Sequence, residues 1–306
     1  MAKIKSLSET IWDKHATEPA IVDWLENFTG RSCDKSTEKR HALYLLSNFM
    51  YFGSRQIREL LKAVYRDLFK YPIVESIRKA NGHTVDCAFI EKQFNQELQQ
   101  TRFLGVGNPS ESGYHLLYYF RQENHLLKDY FIHAHEIFTP ANTCPTLLRS
   151  PKIKRYIFID DFCGSGNQGI DYNRDVVVHI KSLEPDSFIA YYMLFGTEDG
   201  INKIRTKTLF DDVKAVYELD KTFKVFDGNS RYFSEGFNEI SKSVAEDMCY
   251  DYGYRLVPAH PLGYSDGQLM IGFHHNTPDN TLPVFWYDER VVTWKPIFRR
   301  YQKIYG

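Results

Sequence analysis

The chain has 306 residues, of which 38 are basic and 39 acidic, so its formal net charge is −1. This balance excludes a globally basic nucleic-acid binder, although it is compatible with a local basic patch. Aromatic residues make up 15% of the chain, which argues against disorder, and no apolar run approaches the roughly 18 residues of a membrane span.

The first 130 residues are predicted to be mainly helical. Apolar residues recur at helical spacing over 43–50 and again over 57–68, with Gly53 between the two runs and Pro72 after them. This pattern favours two helices rather than one. A further helix is predicted from Asp86 to about Gln100.

The residue composition changes after residue 101. Segment 102–113 is dense in Gly, Ser, Asn and Pro, which predicts a loop, and it leads into an apolar helix candidate over 114–123. From about Lys152 apolar strands alternate with helices. The strands are predicted at 156–159, 188–195 and 213–219, and the helices at about 168–183, 197–207 and 230–251.

Strands and helices that alternate in this way predict a parallel sheet covered on both faces. The apolar runs at 269–273 and 284–286 are expected to add at least one more strand. We therefore predict an α/β fold, with a helical region over 1–100 and one α/β domain over 101–306.

The most informative segment follows the strand at 156–159 and reads Asp160-Asp161-Phe-Cys-Gly-Ser-Gly-Asn-Gln168. In open parallel sheets, ligands bind beyond the carboxyl ends of the strands. A glycine-rich loop there lets backbone N–H groups approach an anion, and Ser165 adds a hydroxyl. The two carboxylates suit the cis-diol of a ribose, or a Mg²⁺ ion that bridges to a diphosphate. No lysine follows the glycines, so this is not the P-loop of a nucleoside triphosphatase.

An apolar strand, two acids and a small-residue loop resemble the phosphoribosyltransferase signature. The resemblance implies that Asp160 and Asp161 are catalytic residues that hold the ribose hydroxyls of phosphoribosyl pyrophosphate and the Mg²⁺. It implies a 5′-phosphate loop made of Cys163, Gly164, Ser165, Gly166, Asn167 and Gln168. Two positions depart from the family pattern. Gly164 stands where many members place an acid that acts as base on the incoming nucleobase, and Gln168 stands where Thr or Ser is common.

The same segment, from Asp161 to Gly166, also resembles the D-x-F-x-G-x-G loop of S-adenosylmethionine-dependent methyltransferases that act on DNA. Those enzymes need an Asn/Asp-Pro-Pro-aromatic catalytic loop. The nearest match here, Asn108-Pro109-Ser110, lacks the second proline and the aromatic residue. A methyltransferase is therefore the weaker alternative.

The loop before the helix at 114–123 is a second candidate anion site. Phosphoribosyltransferases receive the pyrophosphate in a separate early loop, and the best match here is Ser110, Glu111, Ser112 and Gly113, with Arg121 in reach from the helix. The alternative is a purely structural one, in which Ser112 only caps the helix.

A polar stretch from Tyr264 to Asn280 is the candidate for base recognition, through Tyr264, His275 and Asn276. Asn amides and His rings match the edges of a nucleobase, although a buried or loop-bonding histidine is an equally open interpretation. His274 and His275 are adjacent, so they point to opposite faces of a strand and do not easily share one metal.

The five cysteines are Cys33, Cys87, Cys144, Cys163 and Cys249. Their odd number, and the lack of any C-x-x-C, predict reduced thiols in a cytoplasmic protein. The amino terminus carries no apolar segment of the kind found in secretory signals. Cys163 lies in the candidate phosphate loop, where amides can lower the pKa of a thiol, but a small packing residue is the favoured interpretation.

Strings at 101–113, 119–124, 156–168 and 275–286 resemble the phosphoribosyltransferase-like proteins found with bacterial conflict systems, including some retrons. That resemblance implies an anti-phage effector held inactive by partners such as a reverse transcriptase with its DNA–RNA product. Our leading hypothesis is thus an enzyme that acts on phosphoribosyl pyrophosphate or a nucleotide with Mg²⁺, and that has no membrane partner. The alternative is a module that senses a nucleotide but has lost the chemistry, as the missing acid at Gly164 suggests.

Overall fold

The computed structural model describes residues 1–107, 112–139, 147–233, 239–288 and 292–301. The chain forms two compact units. The terminal unit combines Met1–Ile57 with Leu219–Gly306, and the central unit is Arg58–Glu218. This division differs from the boundary expected at residue 100, because both ends of the chain build one unit. No helix within the described ranges has the length and apolar character needed to span a membrane.

The α-helices of the described residues are α1 (Ala2–Thr10), α2 (Glu18–Leu25), α3 (Lys35–Ser47), α4 (Ser54–Ala63), α5 (Tyr71–Ala80), α6 (Cys87–Gln99), α7 (Ser112–Glu123), α8 (Asn167–Tyr172), α9 (Val178–Leu183), α10 (Glu198–Lys207), α11 (Lys242–Leu256) and α12 (Pro283–Trp286). The strands are β1 (Met50–Phe52), β2 (Thr101–Gly105), β3 (Arg155–Cys163), β4 (Phe188–Thr197), β5 (Asp212–Leu219) and β6 (Ile271–Phe273). π-Helical turns, Val64–Lys70 and Asn173–Val177, join α4 to α5 and α8 to α9.

The central unit is built on a sheet whose described strands follow the order β2-β3-β4-β5. β3 pairs in parallel with β2 on one side and with β4 on the other. On one face of the sheet, Phe158 and Tyr191 belong to a buried cluster with Ile201 and Ile204 of α10. On the other face, the Phe103 ring packs 5.2 Å from the Phe120 ring of α7. The predicted α/β class, with parallel strands covered by helices, is confirmed.

Several helices begin where their capping residues predict. The Asp86 carboxylate accepts the Phe89 N–H at 3.1 Å, which starts α6 at the predicted position. In the same way Ser241 caps α11 through the Val244 N–H. The prediction of a helix over 230–251 was wrong at its start, because residues 231–233 form turns before this cap.

Two short elements differ from the sequence prediction. β2 occupies 101–105, where a loop was predicted, because Arg102 interrupts the apolar pattern although the rest of this strand is buried. Of the two apolar runs expected to add at least one strand, 269–273 contains β6, whereas 284–286 belongs to the short helix α12. Pro283 stands at its first position, where the fixed φ of proline favours a helical start.

The terminal unit contains a buried carboxylate that links several of its elements. Glu38 of α3 is fully buried, and its carboxylate accepts the N–H groups of Gly30 and Ser32, each at 2.7 Å. It also accepts the Tyr252 hydroxyl of α11 at 2.7 Å. These bonds satisfy the charge without a cation and tie the loop between α2 and α3 to α11.

Glu38→Gln should destabilise the terminal unit, because an amide has one acceptor oxygen where the carboxylate has two and places an NH₂ group against backbone donors. We expect the free energy of unfolding to fall by about 2–4 kcal/mol. Urea denaturation followed by tryptophan fluorescence measures this, since all four tryptophans (Trp12, Trp24, Trp286 and Trp294) lie in the terminal unit. Glu239→Gln is the matched control, because the Glu239 side chain is 81% exposed. Equal stability of the two variants would contradict the prediction.

Candidate functional site

The candidate phosphate loop lies at the carboxyl end of β3. The strand runs to Cys163, four residues beyond its predicted end, so the two acids lie within the strand and the loop is Gly164-Ser165-Gly166. Gly166 has a φ of 74°, a left-handed conformation, and directly precedes α8. The loop thus turns sharply and leads into the amino-terminal end of a helix, where backbone N–H groups are available to an anion.

The loop is held from outside by the start of α10. Thr197 donates its hydroxyl to the Gly164 carbonyl at 2.6 Å and accepts the Gly200 N–H at 3.0 Å. A Cβ atom on Gly200 would overlap that same Gly164 oxygen, and one on Gly166 would lie 2.7 Å from the Gly200 oxygen. The shape of the loop therefore depends on two glycines that approach each other backbone to backbone.

A lysine also reaches this loop. Lys203, one turn further along α10, donates from Nζ to Asn167 Oδ1 at 2.6 Å. Asn167 is the first residue of α8, and its own N–H donates to the Ser165 hydroxyl at 3.4 Å. The helix that follows the loop is thus fixed by a cation at its first residue.

The two predicted acids have different surroundings. Asp160 is 2% exposed, and its Oδ2 accepts the hydroxyl of Tyr191, on β4, at 2.6 Å. Its Oδ1 accepts the Asp161 N–H at 2.9 Å. Burial, and then the charge of Asp161, raise the pKa of Asp160 well above its usual value. Asp160 is therefore an interior carboxyl whose two oxygens are engaged within the protein.

Asp161 is also buried, with 8% of its surface exposed, and lies two residues before the end of β3. Within the described residues no three His, Cys, Asp or Glu side chains form a metal-binding group, so these residues do not build a complete protein cage for a cation. Mg²⁺ is commonly held by one or two carboxylates together with substrate phosphates. Asp160 and Asp161 are the carboxylates that could serve in that mode, and their side chains are hydrogen-bonded to each other.

The second candidate anion loop begins beside the first. β2 and β3 are neighbouring parallel strands, and the Tyr172 hydroxyl of α8 donates to the carbonyl oxygen of Gly107, just beyond β2, at 3.0 Å. Ser110 and Glu111 lie outside the described residues. Ser112 and Gly113 are the first two residues of α7.

Arg121 lies at the opposite end of α7 from Ser112. It lies in the last turn of α7, roughly 14 Å along the helix axis from Ser112 at 1.5 Å per residue. Its guanidinium sits 5.9 Å from the centre of the Tyr118 ring. A role of Arg121 at the pyrophosphate site stays a prediction.

The three residues predicted to recognise a base belong to the terminal unit. Asn276 Oδ1 accepts the N–H groups of Thr277 and Tyr301, at 2.9 and 3.0 Å. The His275 ring stacks on Phe273, with 5.5 Å between ring centres, and the Tyr264 ring lies edge-on to His260. These contacts hold the local chain in place, and a role of the three residues in base recognition stays a prediction.

Sequence reasoning missed the residues that shape the loop from other elements: Tyr191, Thr197, Gly200 and Lys203. Thr197 carries a local signal, since Thr followed by Glu and Asp is typical of a helix start. The contacts of the others depend on how β4 and α10 pack on β3, which local patterns do not contain.

Cys163 is a packing residue in this structure. It is 4% exposed within the buried cluster of the central unit, and burial raises its pKa to about 12. We therefore expect a thiolate-specific reagent to modify the exposed Cys87 in the folded protein and to leave Cys163 unmodified. Peptide mass spectrometry after labelling near neutral pH checks this, with unfolded protein as the positive control. Labelling of Cys163 as fast as Cys87 would show a reactive loop thiol instead.

The family model PRTase-CE matches residues 21–300. A comparison with curated proteins gives no match. Among solved structures, the chain is similar to the xanthine-guanine-hypoxanthine phosphoribosyltransferase of Helicobacter pylori, with 10% identity, 56% of this chain and 89% of that chain covered, and a TM-score of 0.27. It is also similar to the adenine phosphoribosyl transferase of Trypanosoma brucei in complex with AMP, pyrophosphate and ribose-5-phosphate, with 13% identity, 55% and 80% covered, and a TM-score of 0.24. The match over 21–300 spans most of the sequence, so the chain belongs to the PRTase-CE family of phosphoribosyltransferase-like proteins.

Proposed function

We propose that the chain binds a 5′-phosphorylated ribose, as phosphoribosyl pyrophosphate or as a nucleotide, at the carboxyl end of β3. The observation that carries this proposal is the Gly164–Gly166 loop, which turns at a left-handed glycine into a helix start and is held in shape by α10. Backbone N–H groups in such a loop hold a phosphate through several charge-assisted hydrogen bonds. Family membership supports the same ligand class.

Asp161 is the residue proposed to meet the ribose. Its carboxylate accepts hydroxyl protons of the cis-diol, while the loop holds the 5′-phosphate on the other side of the sugar. Asp161 would help to hold Mg²⁺, which would supply positive charge to the phosphates. A ribose held at both ends presents C1 in a fixed orientation, which favours displacement of the group at that carbon.

Asp160 is proposed to position the strand tip rather than to contact the ligand. Its oxygens bind the Tyr191 hydroxyl and the Asp161 N–H, so it fixes the backbone from which the Asp161 side chain projects. Of the two acids expected to bind the ligand, only Asp161 is therefore proposed to contact it.

A second candidate is a nucleotide sensor without transferase chemistry. It is supported by Gly164, which stands in place of a catalytic acid, and by the burial of Asp160. Turnover separates the two functions. Released base or pyrophosphate favours the enzyme, and binding without product after long incubation favours the sensor.

The wider resemblance leads us to propose a role as an anti-phage effector of a bacterial conflict system, restrained by partner proteins such as a reverse transcriptase with its DNA–RNA product. If so, Asp161→Asn should abolish toxicity or phage protection in a bacterial host and leave soluble yield and partner association intact. A fully protective Asp161→Asn variant would place the active site elsewhere.

Asp161→Asn and Asp160→Asn should fail in different ways. Asp161→Asn should weaken binding of phosphoribosyl pyrophosphate more than about tenfold, since charge-assisted bonds contribute about 1.5–3 kcal/mol each, and should leave the melting temperature close to that of the wild type. Asp160→Asn should instead lower stability by about 1–3 kcal/mol, because one amide oxygen cannot accept both the Tyr191 hydroxyl and the Asp161 N–H.

Calorimetric titration with and without Mg²⁺, together with thermal denaturation, measures both effects. Absence of binding by wild-type protein to any phosphorylated ribose would refute the proposed ligand class. Equal loss of affinity in both variants at equal stability would refute the division of roles between the two acids.

Gly200→Ala tests whether α10 shapes the loop. The new Cβ overlaps the Gly164 carbonyl oxygen, so the loop must shift, and we expect the affinity for phosphoribosyl pyrophosphate to fall about tenfold or more. Gly228→Ala is the matched control, since its Cβ would meet no atom within 4 Å. Unchanged affinity in Gly200→Ala would show that the loop does not hold the ligand.

A further inference from the structure

Lys203 is a basic residue that is bonded to the first residue after the Gly164–Gly166 loop. It is half-buried on α10, and its ammonium donates to Asn167 Oδ1 at 2.6 Å. Asn167 directly follows Gly166, so this bond places the ammonium beside the end of the loop. Lys203 is therefore anchored by α10 and aimed at the start of α8.

The loop and the first two residues of α8 carry no basic side chain, because 164–168 reads Gly-Ser-Gly-Asn-Gln. Nor does an Asp or Glu carboxylate lie within 4.0 Å of the Lys203 ammonium, as far as the described part of the chain extends. The neighbouring Arg205, by contrast, is occupied by the Val213 carbonyl and the Glu218 carboxylate. Lys203 thus brings a positive charge to the loop without a counter-ion among these residues.

An ammonium has three N–H donors, and Asn167 accepts one of them. A phosphate monoester carries about −1.5 to −2 charges near neutral pH, more than the partial charges of a few backbone amides balance. A lysine beside an amide cradle supplies the missing charge as a point cation. The Asn167 bond would keep that cation next to the cradle before a ligand arrives.

We propose that Lys203 is a specificity-determining residue of the phosphate subsite, where its ammonium binds the 5′-phosphate of the ribose ligand beside the Gly164–Gly166 amides. The assignment rests on the proposed function and adds the source of charge that the loop sequence lacks. It predicts that Lys203 serves the 5′-phosphate and not a pyrophosphate bound at the other anion loop.

The test compares ribose 5-phosphate with inorganic pyrophosphate, each titrated calorimetrically in the presence of Mg²⁺. Lys203→Met should raise the dissociation constant of ribose 5-phosphate at least about tenfold and change that of pyrophosphate by no more than about twofold. Lys203→Arg keeps the charge and should restore ribose 5-phosphate binding to within about threefold of the wild type. Lys207→Met, an exposed lysine on the same helix, is the matched control and should bind both probes as the wild type does.

Two results would overturn the assignment of Lys203 and leave the proposed function standing. One is an unchanged affinity of Lys203→Met for ribose 5-phosphate, and the other is an equal loss of affinity for ribose 5-phosphate and pyrophosphate in that variant. A merely structural role would lower the melting temperature without this difference between probes and without rescue by Lys203→Arg. If the wild-type protein binds neither ribose 5-phosphate nor phosphoribosyl pyrophosphate, the proposed function fails and this assignment fails with it.

Discussion

The geometry of the candidate site depends on a contact between two backbones. Gly200, in the first turn of α10, lies so close to the Gly164 carbonyl that neither segment has room for another atom. The Thr197 hydroxyl bonds the same carbonyl and caps the helix, so one residue starts α10 and fixes the loop. Because α10 is anchored by Ile201 and Ile204 in the core, the rigidity of the core is passed to the loop.

A second constraint acts from inside the sheet. Burying a carboxyl such as Asp160 is costly unless its oxygens are hydrogen-bonded, and here the Tyr191 hydroxyl of the neighbouring strand and a backbone N–H supply those bonds. Removing Asp160 or Tyr191 would leave a buried polar atom of the other residue without its hydrogen bond. Few other residue types would therefore be tolerated at these two positions. The end of β3 is thereby held by the hydrogen bond between Asp160 and Tyr191, and the loop after it is held by the close approach of Gly164 and Gly200.

The sequence predicts those parts of the site that are contiguous in the chain. The strand, the two acids and the loop from Gly164 follow one another, so their order alone indicates an anion site. Tyr191 and Lys203 lie tens of residues further on, and they reach the site only because β4 and α10 pack against β3. The sequences around Tyr191 and Lys203 contain no pattern that predicts their contacts with the site.

Short elements were harder to predict than long ones. β2 has five residues and includes Arg102, so its apolar pattern is too brief to separate from a loop. The division of the chain into two units could not be predicted from local sequence patterns. Residues from both ends of the chain share one core, in which Trp24 stacks on Phe285, and no composition shift marks such a long-range partnership.

That division has a consequence for biosynthesis. The central unit is one uninterrupted segment, Arg58–Glu218, and all of its contacts exist once that segment has left the ribosome. The terminal unit must wait, since the partners of α2 and α3 lie on α11 and α12, near the other end of the chain. Until then the apolar faces of α1–α3 have no core to enter, so the nascent chain carries an assembled central sheet together with helices that still need protection from aggregation.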